Sequence, residues 1–143
     1  MADSLVKLHY DVAPDDFTVA GEASGAVKKV LKQLGFSPEV IRRVAVAMYE
    51  CEINMVIHAN GGYIDVEITS EKIRMIHTDN GPGIKDIEKA MQEGYSTADS
   101  RVRELGFGAG MGLPNMKRYT DDMQITTQIG KGTVVDMTVI VNK

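Results

Sequence analysis

Two glycine-rich segments in the 143-residue chain have the residue types of a nucleotide site. In the first, Asp79 stands at the predicted end of a strand and is followed by the turn Asn80-Gly81-Pro82-Gly83-Ile84. The second is the run Gly106-Phe107-Gly108-Ala109-Gly110-Met111-Gly112, just before a predicted helix. Glycines let a flat ligand approach the backbone, and a loop that leads into a helix leaves amide N–H groups free to face an anion. We therefore predict that Asp79 recognises a base and that the second loop holds phosphates.

Each segment alone also has an ordinary interpretation. Asp79-Asn80-Gly81 is a common turn sequence, and the glycine run is compatible with a flexible hinge. The run is not a Gly-x-x-x-x-Gly-Lys-Ser/Thr phosphate loop, because no lysine follows the glycines at that position. It is not a dinucleotide fingerprint either, since no strand-and-crossover unit surrounds it.

A polar pair, Glu50 and Asn54, lies on a helix predicted over residues 37–58. This helix is apolar on nearly every side, which predicts burial, and residues four apart share one of its faces. A carboxylate beside an amide oxygen suits Mg²⁺, which completes its shell with phosphate and water, and the carboxylate could also deprotonate a hydroxyl or a water. A capped or solvent-facing polar pair is the alternative. Glu52 is a nearby competitor that points to a different side of the helix.

Composition predicts one domain over residues 1–143 with a substantial core. Apolar residues make up 43% and charged residues 25%, as in ordinary globular proteins. No segment has the roughly 20 apolar residues of a membrane span, and the N-terminus does not resemble a signal peptide. The single cysteine, Cys51, fits a reducing cytoplasm. A formal net charge of −4 disfavours non-specific nucleic-acid binding.

Hydrophobic patterning and turn residues predict an α+β domain with a layer of helices on a mostly antiparallel sheet, because hairpins alternate irregularly with helices. The predicted strands cover residues 5–12, 63–69, 72–78, 122–129 and 133–141. The predicted helices run from Pro14 to about Leu34 with a stop at Gly35, over 37–58, over about 85–93 and over 112–119.

The order of the motifs resembles the GHKL ATPase family, which includes DNA gyrase B, the Hsp90 chaperones, histidine kinases and MutL. The motifs are Glu50-x-x-x-Asn54, then Asp79-x-Gly81-x-Gly83, a polar segment, and Gly108-x-Gly110-x-Gly112. Residues 49–58 and 106–113 are most similar to bacterial anti-sigma-factor-type serine/threonine kinases, particularly switch kinases of the RsbT type. The resemblance spans residues 5–141. It implies a two-layer α/β sandwich of the Bergerat type, with a mixed, mostly antiparallel sheet, about three helices on one face and a lid at about 85–111.

The resemblance also implies residue roles. Glu50 would be the general base and Asn54 the Mg²⁺ ligand, while Asp79 would accept a hydrogen bond from the adenine amino group. Thr133 would support that acid, although a β-branched residue at the start of a strand is an equally good interpretation. The implied ATP-binding positions are Asn54, Asp79, Gly81, Gly83, Ile84, Gly106, Gly108, Ala109, Gly110, Met111, Gly112, Leu113 and Thr133.

Four polar residues of the predicted lid have no assigned role: Ser96, Thr97, Arg101 and Arg103. They are compatible with contact to the γ-phosphate, with contact to a partner protein, or, for the two arginines, with ordinary surface charge.

The resemblance implies an ATP- and Mg²⁺-dependent serine/threonine kinase of a partner-switching system, acting on a STAS-domain antagonist protein. Further implied partners are a sigma factor or a PP2C-type phosphatase, with no nucleic acid and no membrane, and a homodimer is left open. The alternative is a nucleotide-gated anti-sigma or phosphatase-activating module with little catalysis. A detached histidine-kinase catalytic domain is a weaker option, because we find no phosphoacceptor-histidine helix pair in the sequence.

Overall fold

Five strands and three helices make up the part of the chain that the computed structural model describes, which is residues 5–13, 21–58, 61–81 and 112–141. The strands are β1 (Val6–Val12), β2 (Gly62–Ile68), β3 (Lys72–Asp79), β4 (Asp122–Gln128) and β5 (Gly132–Ile140). The helices are α1 (Glu22–Gln33), α2 (Pro38–His58) and α3 (Gly112–Tyr119). The predicted helix at 85–93 and the predicted lid up to residue 111 lie outside the described residues.

The strands form one sheet in the order β1-β2-β3-β5-β4. The two predicted hairpins are confirmed: β2 pairs with β3 so that Ile68 faces Ile73, and β4 pairs with β5 so that Gln128 faces Gly132. All four pairings among the described strands are antiparallel. The mostly antiparallel sheet that the sequence and the resemblance predicted is therefore confirmed for the described strands, each of which runs opposite to its neighbour.

One face of the sheet carries the core and the helices. Side chains alternate along each strand, and those facing the helices are buried: Ile64, Val66, Ile68, Ile73, Met75, Met137 and Val139 are examples. The opposite face carries charged and polar side chains among a few apolar ones, and Arg74 is held there by Asp136 through contacts of 3.0 and 2.6 Å. The α+β prediction of helices layered on one side of a sheet is thus confirmed. None of the described helices is both long enough and apolar enough to cross a membrane.

Helix α2 is the central helix, with α1 and α3 packed on either side of it. Its start agrees with the prediction, because the Val40 N–H donates to the Ser37 Oγ at 3.3 Å and so receives a side-chain cap. Val44, Ala47 and Met48 are almost completely buried. A helix buried on so much of its surface positions its polar residues rigidly.

The first helix begins later than predicted. The sequence placed its start near Pro14, but α1 begins at Glu22, because Gly21 has a left-handed φ of 95° and forms the N-cap. Residues 14–20 lie outside the described residues. The predicted stop is confirmed: Gly35 has a φ of 84°, and the Phe36 N–H donates to the Leu31 carbonyl at 3.1 Å.

Candidate nucleotide site

Asp79 is the last residue of β3, and two backbone groups hold its half-buried carboxylate. Its Oδ1 accepts hydrogen bonds from the N–H of Gly81 at 2.9 Å and from the N–H of Thr133 at 3.1 Å. The first donor belongs to the turn that follows β3, and the second belongs to the neighbouring strand β5. Because both are backbone groups, the orientation of Asp79 is fixed without any bound ligand.

Two glycines allow the neighbouring strands to approach Asp79 this closely. A Cβ on Gly132 of β5 would lie 2.1 Å from the Asp79 carbonyl oxygen. A Cβ on Gly62 of β2 would lie 2.0 Å from the Thr78 carbonyl oxygen and 2.8 Å from the Asp79 Cα. All three separations are shorter than the non-bonded contacts that a Cβ atom makes in real proteins. The backbone on both sides of Asp79 therefore requires glycine.

Thr133 meets Asp79 through its backbone rather than its hydroxyl. Its side chain is buried, 5% exposed, and its Oγ1 lies 2.9 Å from the Thr127 Oγ1. The threonine pair fastens β4 to β5 at the point where the Thr133 N–H is presented to Asp79. The implied role of Thr133 in supporting the acid stays a prediction, with which the hydrogen bond from its N–H is compatible.

Glu50 and Asn54 lie one turn apart on α2, and both are half-buried. The Asn115 side chain of α3 donates from Nδ2 to the Glu50 Oε1 at a long 3.4 Å. Cys51, next to Glu50, is buried in the core. Burial raises the pKa of the Cys51 thiol well above its usual value, and the negative charges of Asp79 and Glu52 raise it further.

Glu52 has a separate structural role. It is 2% exposed, and its carboxylate accepts hydrogen bonds from the N–H groups of Gly21 at 2.8 Å, Ala23 at 3.3 Å and Ser24 at 3.0 Å. These are the N–H groups that the first turn of α1 leaves without partners. Gly21 has no side chain, so Glu52 supplies the cap from α2 and takes no part in the pair formed by Glu50 and Asn54.

The glycine run reaches the described structure only at its end. Gly112 is the first residue of α3, and Leu113 is partly buried against the core. The described residues thus bring Asp79, Gly81 and Thr133 together, and bring Glu50 into contact with α3. The remaining predicted positions lie outside the described residues: Gly83, Ile84, Gly106, Gly108, Ala109, Gly110 and Met111, together with Ser96, Thr97, Arg101 and Arg103.

Three residues at the site were not predicted from the sequence: Asn115, Gly62 and Gly132. The two glycines had a signal, since each stands beside a predicted turn, but no pattern shows that they border Asp79. Asn115 is 65 residues from Glu50 in the chain, and no spacing rule joins them. The signal that could have identified it is a polar side chain on the α3 turn that follows the glycine run.

His77 is a buried polar residue on the helix-facing side of β3, two residues before Asp79. It is 1% exposed, and neither ring nitrogen has a hydrogen-bond partner among the described residues. Burial lowers the pKa of His77 to about 3, partly offset by the nearby Met48 backbone. The ring is therefore neutral at physiological pH and belongs to the core beneath the site.

The donor atoms near Glu50 suit Mg²⁺ only as an ion bound together with a nucleotide. Within the described ranges no group of three or more His, Cys, Asp and Glu side chains could hold a metal ion. Mg²⁺ bound with a nucleotide needs only one or two protein oxygens, and the amide oxygen of the half-buried Asn54 is of that type. The residues present therefore fit a metal that is held mainly by phosphate and water.

Comparison with known proteins identifies the family. Residues 13–139 match the family model of the histidine kinase-like ATPase domain. The chain is 33% identical over 112 residues to the serine/threonine-protein kinase RsbT of Bacillus subtilis, covering 76% of this chain and 78% of the relative. It is 35% identical over 111 residues to the anti-sigma F factor of Caldanaerobacter subterraneus subsp. tengcongensis, covering 74% of each.

A solved structure shows the same fold. The mycobacterial sensor histidine kinase MprB matches 94% of this chain and 97% of its own, with a TM-score of 0.51 and 14% identity. That likeness concerns the fold alone, whereas the family match spans most of the sequence. The chain therefore belongs to the histidine kinase-like ATPase domain family, as its ordered motifs predicted, and resembles the anti-sigma-factor-type kinases within it.

Proposed function

We propose that this chain is an ATP-dependent serine/threonine protein kinase of a partner-switching system, and that its substrate is a STAS-domain antagonist protein. The relatives named above support the kinase activity and the partner switching. The observation that carries the nucleotide assignment is the carboxylate of Asp79, oriented by the N–H groups of Gly81 and Thr133. The single cysteine agrees with a cytoplasmic location.

Asp79 is the proposed adenine-binding residue. Its Oδ1 is already occupied by two backbone donors, and its Oδ2 has no partner among the described residues. A free carboxylate oxygen accepts hydrogen bonds only, so it selects a donor such as the exocyclic amino group of adenine. Gly81 and Gly83 would let the base approach the turn.

Glu50 is the proposed general base. Its half-buried carboxylate has one long contact among the described residues, which leaves it able to accept a proton from a serine or threonine hydroxyl of the substrate. Asn54 would hold Mg²⁺ together with the phosphates of ATP, and the ion would supply positive charge against the phosphate oxygens. The glycine run before α3 would direct backbone N–H groups toward the same phosphates.

Phosphorylation would regulate partner choice through charge. A phosphate adds about 1.5 to 2 negative charges at neutral pH, and this chain has a net charge of −4. The modified antagonist would then bind more weakly and leave the kinase free for a second partner, a sigma factor or a PP2C-type phosphatase. A measurement of the molar mass in solution tests whether the kinase forms a homodimer.

The decisive experiment mixes the purified protein with Mg-ATP and the STAS-domain protein encoded nearest to its gene. We expect phosphate transfer to a serine or threonine of that protein, and we expect Glu50→Gln to reduce the rate by a factor of about 100 or more. Absence of transfer, or unchanged transfer by Glu50→Gln, contradicts the proposal. Nucleotide-dependent binding of a regulator without transfer favours the alternative, a nucleotide-gated binding module.

Asp79→Asn tests the nucleotide assignment separately. An asparagine keeps an oxygen for the N–H groups of Gly81 and Thr133, but it replaces Oδ2 with an N–H₂ group that cannot accept from adenine. We expect a folded variant whose ATP affinity, measured by calorimetry, falls by a factor of about 100 or more. Retained affinity in a folded variant contradicts the role of Asp79.

A further inference from the structure

The contact between Asn115 and Glu50 joins the helix that carries the proposed base to the helix that follows the glycine run. The Asn115 Nδ2 lies 3.4 Å from the Glu50 Oε1, and both side chains are half-buried where α2 packs on α3. A carboxylate accepts and an amide N–H donates, so the two side chains are chemically matched. Catalytic hydrogen bonds are often long in the absence of substrate and shorten in the reactive complex.

Other contacts fix α3 in this position. Arg43 of α2 donates from Nε to the Tyr119 carbonyl at 3.2 Å, and its NH2 nitrogen lies 3.3 Å from the Asp121 Oδ1. A cation at this end of the helix also complements the helix dipole. Met116, the neighbour of Asn115, is completely buried in the core. These anchors set the rotation of α3 and hold Asn115 toward α2.

We propose that Asn115 is a positioning residue for Glu50, which it orients toward the attacking hydroxyl. Since Asn115 lies three residues after Gly112, it also links the orientation of the base to the phosphate-binding end of α3. An amide orients a carboxylate without adding charge, so Glu50 keeps its ability to take a proton. This inference rests on the proposed function of Glu50 as the general base.

Two substitutions at position 115 and one control separate orientation of the base from simple packing. Asn115→Leu keeps most of the volume and removes the donor. Asn115→Asp keeps the shape but places a second carboxylate against Glu50, which disfavours ionisation of the pair. Lys117→Ala, at an exposed position on the same helix, is the matched control.

The measurements are kcat, the KM for ATP and the pH profile of transfer to the STAS-domain protein, with slow phosphate release to water as a second readout. We expect Asn115→Leu to lower kcat about tenfold while the KM for ATP changes less than about twofold. We expect Asn115→Asp to move the acid limb of the kcat profile upward by about one pH unit, and Lys117→Ala to match the wild type. Wild-type kcat and pH profiles in both Asn115 variants would overturn the inference, as would a loss of kcat that only follows a loss of folded protein by circular dichroism.

The Glu50→Gln variant distinguishes failure of the proposed base from failure of its proposed positioning residue. If Glu50→Gln still transfers phosphate at the wild-type rate, the proposed base is wrong and the inference about Asn115 falls with it. If Glu50→Gln is inactive but the Asn115 variants behave as wild type, only the inference about Asn115 is overturned. Inactive Glu50→Gln together with a shifted profile in Asn115→Asp supports both.

Discussion

Two glutamates on different sides of α2 have contrasting surroundings. On one side, Glu52 is buried and accepts three hydrogen bonds from backbone N–H groups at the start of α1. On the other side, Glu50 is half-buried and has one contact of 3.4 Å among the described residues. The two residues stand two positions apart in the sequence and have the same side chain. The number of partners separates a carboxylate used for structure from one that remains available for chemistry.

Replacing each glutamate by glutamine tests this difference and has the largest expected effect. Glu52→Gln removes the charge and one acceptor from three backbone N–H groups, so we expect its free energy of unfolding to fall by about 3 kcal/mol. Glu50→Gln should change the free energy of unfolding by less than about 0.5 kcal/mol. Urea unfolding of the two variants measures both values. Equal destabilisation by the two substitutions would refute the distinction.

Asp79 resembles Glu52 in being held by backbone donors, and Gly62 and Gly132 allow the neighbouring strands to come close enough for this. For a test, Gly130 is the matched control for Gly132, because both have positive φ values, 80° and 129°. A Cβ at Gly130 meets nothing within 4 Å, whereas a Cβ at Gly132 would meet the Asp79 carbonyl at 2.1 Å.

We expect Gly130→Ala to lower the free energy of unfolding by about 1 kcal/mol through backbone strain alone. Gly132→Ala should cost about 2 kcal/mol more, because β5 must move away from β3. Where the Gly132→Ala protein remains folded, calorimetry should show weakened ATP binding, since Thr133 moves with the strand. Equal stability and equal ATP affinity of the two variants would show that the close approach is unimportant.

Unlike Glu52 and Asp79, the buried His77 ring has no hydrogen-bond partner among the described residues. Because burial lowers its pKa to about 3 from an ordinary 6.5, the unfolded chain binds the proton first as the pH falls. Stability therefore decreases as the pH drops below about 6.5. His9, on the open face of the sheet, has the opposite sign, because hydrogen bonds with Asp65 and Asp11 raise its pKa. The contribution of His9 to the free energy of unfolding is present at low pH, and it is lost as the pH rises through the pKa that His9 has in the folded chain.

The substitution His77→Leu tests this smaller effect. Between pH 7 and pH 5 we expect the wild type to lose about 2 kcal/mol that the variant does not lose. Urea unfolding at the two pH values gives the change in the free energy of unfolding with pH for each protein. The acidic side chains contribute equally to both proteins and cancel. An equal pH dependence of the free energy of unfolding in the two proteins would contradict the burial of a neutral His77.

Much of the fold was predictable because it depends on local signals. Alternating side chains and the turns at Ser70-Glu71 and Gly130-Lys131-Gly132 predicted the two hairpins, and Ser37-Pro38 predicted the start of α2. The start of α1 was predicted wrongly, because its cap comes from Glu52 and not from a neighbouring side chain. A cap provided from 28 or more residues away leaves no local pattern.

The amino-acid sequence alone identifies the candidate residues for the chemistry: an acid before a glycine turn, a glycine run, and a glutamate one turn from an asparagine. These features depend on residue type and helical or turn spacing, which local chemistry controls. The positions of β5 beside β3 and of α3 beside α2 became visible in the folded chain alone. The first lets the Thr133 N–H reach Asp79, and the second lets Asn115 reach Glu50. Such contacts join residues 54 and 65 positions apart, and burial of the shared core brings them together.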